Sequence, residues 1–240
     1  NGYINSTSIM TNCDYFNEAI HGLKARKDLK VGIHLNLTYG KSLSGSFMLG
    51  NQYGFFNLSY LQILYKSIVS KSFLAEVEDE FELQIQKVID NKIDISHLDS
   101  HRHVHLIPSL YKIVYRLSLK YSIDRVRLVN ENIFHSLNLT KKLDFFSNGG
   151  LLKYLLLRFF TCINKIHGDK YKSISFYSIL YTGIIESSSL LKLIKSDTVY
   201  EIVVHPSYVN FDKNITFYND AEKAYRLSSN RSLELLGILK

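Results

Sequence analysis

Tryptophan is absent from these 240 residues, and proline and cysteine occur only twice each. Cys13 and Cys162 match neither the paired spacing of a cysteine zinc site nor a C-x-x-C redox motif, so both read as small buried apolar residues. No apolar run is long enough to cross a bilayer. The most apolar stretch, Leu151 to Ile163, carries Lys153 and Arg158 and reads as an amphipathic helix packed on the core, so a membrane is not an expected partner. Dense basic runs are missing as well. The net charge is +7, yet nothing is denser than Lys24-Ala25-Arg26-Lys27 or Lys141-Lys142, whereas a nucleic-acid footprint would be a clustered stripe or a recognition motif. Nucleic acid is therefore not an expected partner either. Internal repeats and low-complexity tracts are lacking, which leaves one domain, residues 1–240, as the economical organisation.

What is present suits a globular chain: apolar residues make up 46% of it, enough to bury a sizeable core. Short apolar segments alternate with longer helical patterns, which predicts an α/β fold built from βα units on a parallel sheet. Strands are expected near Ile4 to Met10, Val31 to Leu37, Ile93 to Leu98, Arg125 to Val129 and Tyr200 to Val204. Helices are expected over Tyr15 to Lys24, Leu74 to Asp90 (with Glu76, Glu80 and Gln84 outward), Ser109 to Tyr121, Leu151 to Lys165 and Asp220 to Lys240. Gly40 to Tyr60 breaks this rhythm with four glycines among Ser and Phe, and reads as a long functional loop. The chain opens on Asn1-Gly2-Tyr3-Ile4-Asn5 without an initiator Met, which is the expectation for an N-terminally truncated piece; with no leader in view, the cytoplasm is the default location.

Chemistry concentrates in His97-Leu98-Asp99-Ser100-His101-Arg102-His103-Val104-His105, where four of the nine histidines and an aspartate fall together. Imidazole is the commonest metal ligand and the usual proton carrier near neutral pH. Continued as an extended strand, the segment would put Asp99, His101, His103 and His105 on one side. His34 in the second strand, His101 after the third and His205 after the fifth are placed to converge, as residues at strand C-termini do in α/β barrels.

Three blocks then resemble one family. Gly32-Ile33-His34-Leu35-Asn36-Leu37-Thr38-Tyr39-Gly40-Lys41-Ser42-Leu43-Ser44, the His97 to His105 segment, and Glu201-Ile202-Val203-Val204-His205-Pro206-Ser207-Tyr208 are similar, in this order, to the signature blocks of the YdjC-like carbohydrate deacetylases. Ser6-Thr7-Ser8-Ile9-Met10 and Val126-Arg127-Leu128 match weaker signatures. The resemblance implies an irregular NodB-like (β/α) barrel in a single domain, holding one divalent metal ion (Mg or Zn). It also implies removal of acetyl groups from N-acetylated sugars or short oligosaccharides such as chitooligosaccharides. Carried over by position, His34 and His101 become the metal-binding histidines and His205 a catalytic proton donor. The chain departs from the family pattern in showing no Ala-Asp-Asp-Phe-Gly segment, the family's first strand and source of its metal-binding aspartate, and in having Ser207 for Gly and Ser42 for Pro.

Amide hydrolysis needs a nucleophile, a polarised carbonyl and a protonated leaving amine; a metal supplies the first two and a His the third. With the family's aspartates absent, Asp99 is a candidate third metal ligand, but it is read as catalytic through orienting an imidazole, with turn capping as its remaining reading. Asn36, Thr38, His103 and Arg127 are candidate substrate contacts, Arg127 equally a structural salt bridge, and His105 is read as packing. Tyr53, Phe55 and Phe56 suit stacking on sugar rings or core packing. His21, His135 and His167 receive no role. The expected partner is the sugar substrate, with a homodimer as the assembly considered. Two rivals stand beside the deacetylase: a non-catalytic carbohydrate-binding or regulatory relative without the metal aspartate, and a metal phosphoesterase on a similar barrel.

Overall fold

The computed structural model describes residues 4–139, 149–167, 174–180, 192, 199–207, 223, 224 and 227–238. The chain divides into two compact units, one formed by Asn5–Arg127 with Phe160–Lys172, the other by Asn1–Ile4, Leu128–Phe159 and Ser173–Lys240.

In the first unit, β1 (Ser6–Ile9), β2 (Lys30–Leu35) and β3 (Ile95–Ser100) form a parallel sheet in the order β1-β2-β3. Alternation decides its two faces. Ile9 pairs with Ile33 and Ile33 with Leu98, and all three are buried, which makes one face apolar. The other face is polar: Ser8 pairs with Gly32, Gly32 with His97 and His34 with Asp99. A bulge between Val31 and Gly32 sets that register against β3.

Helix α1 (Phe16–Lys24) buries Phe16 and Ile20. Helix α2 (Tyr60–Val69) starts in a capping box, Ser59 accepting from the Gln62 amide while the Gln62 side chain accepts from the Ser59 amide. Helix α3 (Lys71–Asp90) packs on β2 and on α4 (Pro108–Lys120) with Phe73, Val77, Phe81, Ile85 and Val88 fully buried at helical spacing. The sequence pattern predicts α1, α3 and α4 to within a few residues. It does not predict α2, because Leu61, Tyr65, Ile68 and Val69 are exposed while Ile63 is buried, so no single apolar stripe marks the helix.

The second unit contains α5 (Ile133–Leu139), most of α6 (Gly150–Asn164), a parallel pair β4 (Ser175–Tyr177) and β5 (Tyr200–Ile202), and α7 (Ser229–Ile238). α6 buries Tyr154, Leu157 and Phe160, in line with its amphipathic reading. The α/β class stands, with two small open parallel sheets among the described residues. Residues 220–222 of the expected last helix, and Tyr208 of the third motif block, lie outside the described residues.

Four expectations are corrected. Arg125 to Val129 is not a strand; Leu98 donates to the Arg125 carbonyl and accepts from the Arg127 amide, giving one bridge at Val126 and no further pairing with β3. Glu80 and Gln84 do not face outward but are fully buried, because loop amides need their oxygens. Cys162 is exposed and Cys13 half-buried, so neither is a core residue. The chain beyond β3 does not stay extended. It turns into a short 3-10 segment, His101–Leu106, in which Arg102 (φ 54°) and His103 (φ 56°) both adopt the left-handed region. Such a conformation costs about 1–2 kcal/mol per residue without a glycine, and it ends the period-two alignment at Asp99. No helix among the described residues is long and apolar enough to cross a membrane.

Candidate active site

The polar face of the first sheet is organised around a missing side chain. Gly32 lies between Ser8 on β1 and His97 on β3, and a Cβ built on it would collide with Nε2, Cε1 and Cδ2 of the His97 ring. The bare backbone lets the imidazole lie across the middle strand, so that its Nε2 sits 3.0 Å from Ser8 Oγ. On the other side of the ring, Ser96 Oγ lies 2.8 Å from Nδ1. His97 is 7% exposed, so this cluster is built inside the fold.

One register step on, His34 stands beside Asp99. Its Nδ1–H donates to Asp99 Oδ1 at 2.8 Å. Asp99 Oδ2 receives the Ser8 hydroxyl at 3.1 Å and an ion pair from the Arg127 guanidinium. The carboxylate is 1% exposed. Burial alone would raise its pKa, but the charge of Arg127, with the hydrogen bond from His34, outweighs this and holds the group well below the usual carboxylate range. Asp99 is thus a permanent acceptor. It fixes His34 in the Nδ1–H tautomer, which puts the ring's lone pair on Nε2, the arrangement commonly found behind histidine ligands.

His101 follows β3 directly, its ring centre 5.9 Å from that of His34. Its Nδ1 lies 2.7 Å from Thr38 Oγ1, which approaches Asn36 Oδ1 at 3.4 Å; where the imidazole is the donor to Thr38, its lone pair falls on Nε2. Two of the three histidines expected to converge therefore meet within this unit. Asn36 is fully buried: its amide donates to Asn12 Oδ1 and the Tyr39 carbonyl and accepts from the Thr38 amide. Asn36 shapes the loop that presents Thr38. Behind that loop, Gln84 exchanges hydrogen bonds with the Asn36 backbone, and Glu80 receives the amides of Leu43 and Ser44 and the Ser42 hydroxyl.

The remaining residues singled out in the sequence fall elsewhere. Arg127, 7% exposed, is committed to Asp99, and His103 is half-buried at its left-handed turn. His105 is fully buried; its Nε2–H donates to the Arg127 carbonyl and its Nδ1 accepts from Ser100, and burial holds its pKa down at about 4, so it stays a neutral structural imidazole. Phe56 is buried, whereas Tyr53 is exposed and Phe55 lies under the Lys41 ammonium. His205 belongs to the other unit, where its amide donates to Glu234 at 2.7 Å and its carbonyl accepts from Arg231 at 2.6 Å. Among the described residues, no group of three His, Cys, Asp or Glu side chains is placed to hold a metal ion.

Ser8, Gly32, His97, Glu80 and Gln84 are the site residues the sequence reading assigns no such role. For Gly32 and His97 the signal was there: period two puts His97 on the face of Asp99, and a lone glycine inside a strand marks a close approach. Nothing local marks Glu80.

A family profile described as YdjC-like protein matches residues 1–237. The chain is 28% identical over 162 residues to a carbohydrate deacetylase of Clostridium beijerinckii, covering 65% of this chain and 63% of that protein. It is 34% identical over 123 residues to a carbohydrate deacetylase of Halalkalibacterium halodurans, covering 51% of each. The chain thus spans between half and two thirds of the length of these curated relatives. A solved Enterococcus faecalis structure, titled as a cellobiose-phosphate cleavage protein, superimposes with a TM-score of 0.61 over 99% of this chain and 86% of its own, at 20% identity, which speaks to the fold alone. On the profile match over nearly its whole length, this chain belongs to the YdjC-like protein family.

Proposed function

We propose that this protein is a carbohydrate deacetylase, a hydrolase that removes acetyl groups from N-acetylated sugars or short oligosaccharides of the chitooligosaccharide kind. The observation that carries the proposal is the His34–Asp99–Arg127 arrangement beside His101: an imidazole whose Nδ1 proton is held by Asp99, leaving its lone pair on Nε2, next to a second imidazole anchored at Nδ1 by Thr38. The relatives named carbohydrate deacetylase support it.

His34 and His101 suit a divalent ion, Mg or Zn, as its nitrogen donors, and Asp99 is engaged with His34 Nδ1, so the described residues place no group of three such side chains to hold the ion. Such an ion, when bound, acidifies water and polarises the amide carbonyl. The chain's own residues have roles that stand without it. Asp99 keeps His34 in one tautomer, Arg127 keeps Asp99 ionised, and Thr38 anchors the His101 ring at Nδ1. Thr38 and His103, both half-buried, are assigned to the sugar, with Asn36 and Arg127 supporting them. His205 is assigned to protonate the leaving nitrogen. The single (β/α) barrel domain implied by the resemblance is part of the same proposal.

The test is acetate release from N-acetylated chitooligosaccharides, with metal content measured on the same protein. Loss of release on chelation and in His101→Ala and His34→Ala supports the proposal. Sugar binding without release would instead favour the non-catalytic carbohydrate-binding relative.

A further inference from the structure

His97 lies between two hydroxyl groups, each of which has only one proton to give. Ser8 Oγ is 3.1 Å from Asp99 Oδ2 and 3.0 Å from His97 Nε2. Asp99 is a carboxylate and can only accept, so the Ser8 proton goes to it and Ser8 Oγ faces His97 with a lone pair. Ser96 repeats the arrangement on the other nitrogen: its Oγ donates to the Val31 carbonyl at 2.9 Å and faces His97 Nδ1 at 2.8 Å. A carbonyl also only accepts. If either imidazole nitrogen were unprotonated, two lone pairs would be pressed together at one of these four contacts, inside a region where His97 is 7% exposed and Asp99 1%. Only a ring that donates from both nitrogens satisfies all four.

We infer that His97 is held as a buried imidazolium and acts as a positioning residue, completing with Arg127 a pair of cations that keeps Asp99 ionised for His34. The chain of contacts runs His97 Nε2–H to Ser8, Ser8 to Asp99 Oδ2, and Asp99 Oδ1 to His34 Nδ1–H. Gly32 makes the chain possible, because any Cβ there would displace the ring. Asp99 sets one negative charge between two cations, Arg127 paired with its Oδ2 and His97 linked to the same oxygen through Ser8. His97, which shares its motif block with His101, thus has a different task, and its position on the face of Asp99 assigns it.

The first test is nitrogen-15 NMR of histidine-labelled full-length chain near neutral pH, with the His97 signals identified by their loss in His97→Gln. Both ring nitrogens protonated is the expected result; one unprotonated nitrogen overturns the inference. In Ser8→Ala, Nε2 loses its acceptor, and the ring is expected to become neutral with its remaining proton on Nδ1 toward Ser96. Should that variant not fold, Ser96→Ala makes the mirror-image prediction, a neutral ring protonated on Nε2. The kinetic arm rests on the deacetylase reading: Ser8→Ala should lower kcat roughly tenfold with KM little changed, and an unchanged kcat overturns the positioning role. If wild type shows the imidazolium but releases no acetate, the deacetylase reading fails alone. The positioning role is then read from the His34 Nδ1–H resonance, which must move in Ser8→Ala or the role falls too.

Discussion

Asp99 serves three donors with two oxygens, and that fixes what a change there does. Asp99→Asn keeps the shape but removes the negative charge that Asp99 sets against the buried Arg127 guanidinium. Breaking a buried pair from one side costs about 3–5 kcal/mol, so the urea midpoint of Asp99→Asn should fall by a corresponding amount; an unchanged midpoint would show that the pair contributes nothing. His105 makes a prediction of opposite chemical kind. Folded, it takes up a proton only near pH 4, against 6.5 for an unperturbed imidazole, because burial penalises the charged ring. Between those values the unfolded chain binds the proton and the folded chain does not, so stability rises with pH through this window. The gap corresponds to about 3 kcal/mol present at pH 7 and lost by pH 4. His105→Gln should flatten urea stability against pH between 4 and 6.5 relative to wild type.

At the scale of elements, α3 is more than a core helix. Its apolar face fills the space against β2 and α4, and from the edge of that face Glu80 and Gln84 reach the loop that carries Thr38 and the first residues after it. Glu80 satisfies the Leu43 and Ser44 amides, and Gln84 ties Glu80 to the Asn36 backbone. Glu80→Ala removes the acceptor of those part-buried amides, at about 1 kcal/mol for each. Hydrogen exchange at Leu43 and Ser44 should lose its protection while α3 itself stays protected. Loss of protection along the whole helix would mean instead that Glu80 supports α3 and not the loop.

For the whole molecule, net charge is the property no single residue carries. At +7 the chain should draw anionic substrates faster than neutral ones, an effect that salt screens within about 10 Å at 0.1 M. On the deacetylase reading, kcat/KM for an anionic N-acetylated glycan should fall with added salt, while that for a neutral chitooligosaccharide stays level. Equal salt responses would show that the basic residues lie away from the path of the sugar. Membership of the YdjC-like family and the α/β class both hold at this scale, since the profile covers residues 1–237 and the sheets are parallel.

The sequence by itself determined what is local. Alternation placed β1, β2 and β3, helical spacing placed α1, α3 and α4, and the motif blocks brought forward His34, Asp99 and His101 before any geometry was known. Tertiary structure decided whatever depends on a partner distant in the chain. That Gly32 is a notch for a ring 65 positions away follows from the register of two strands, and that Glu80 points inward follows from loop amides that needed an acceptor. The fate of His103 and His105 turned on two left-handed residues that no periodicity announces. A sequence pattern records which side chains prefer burial. The protonation of His97 and the tautomer of His34 are settled only where donors and acceptors from separate strands are counted against one another.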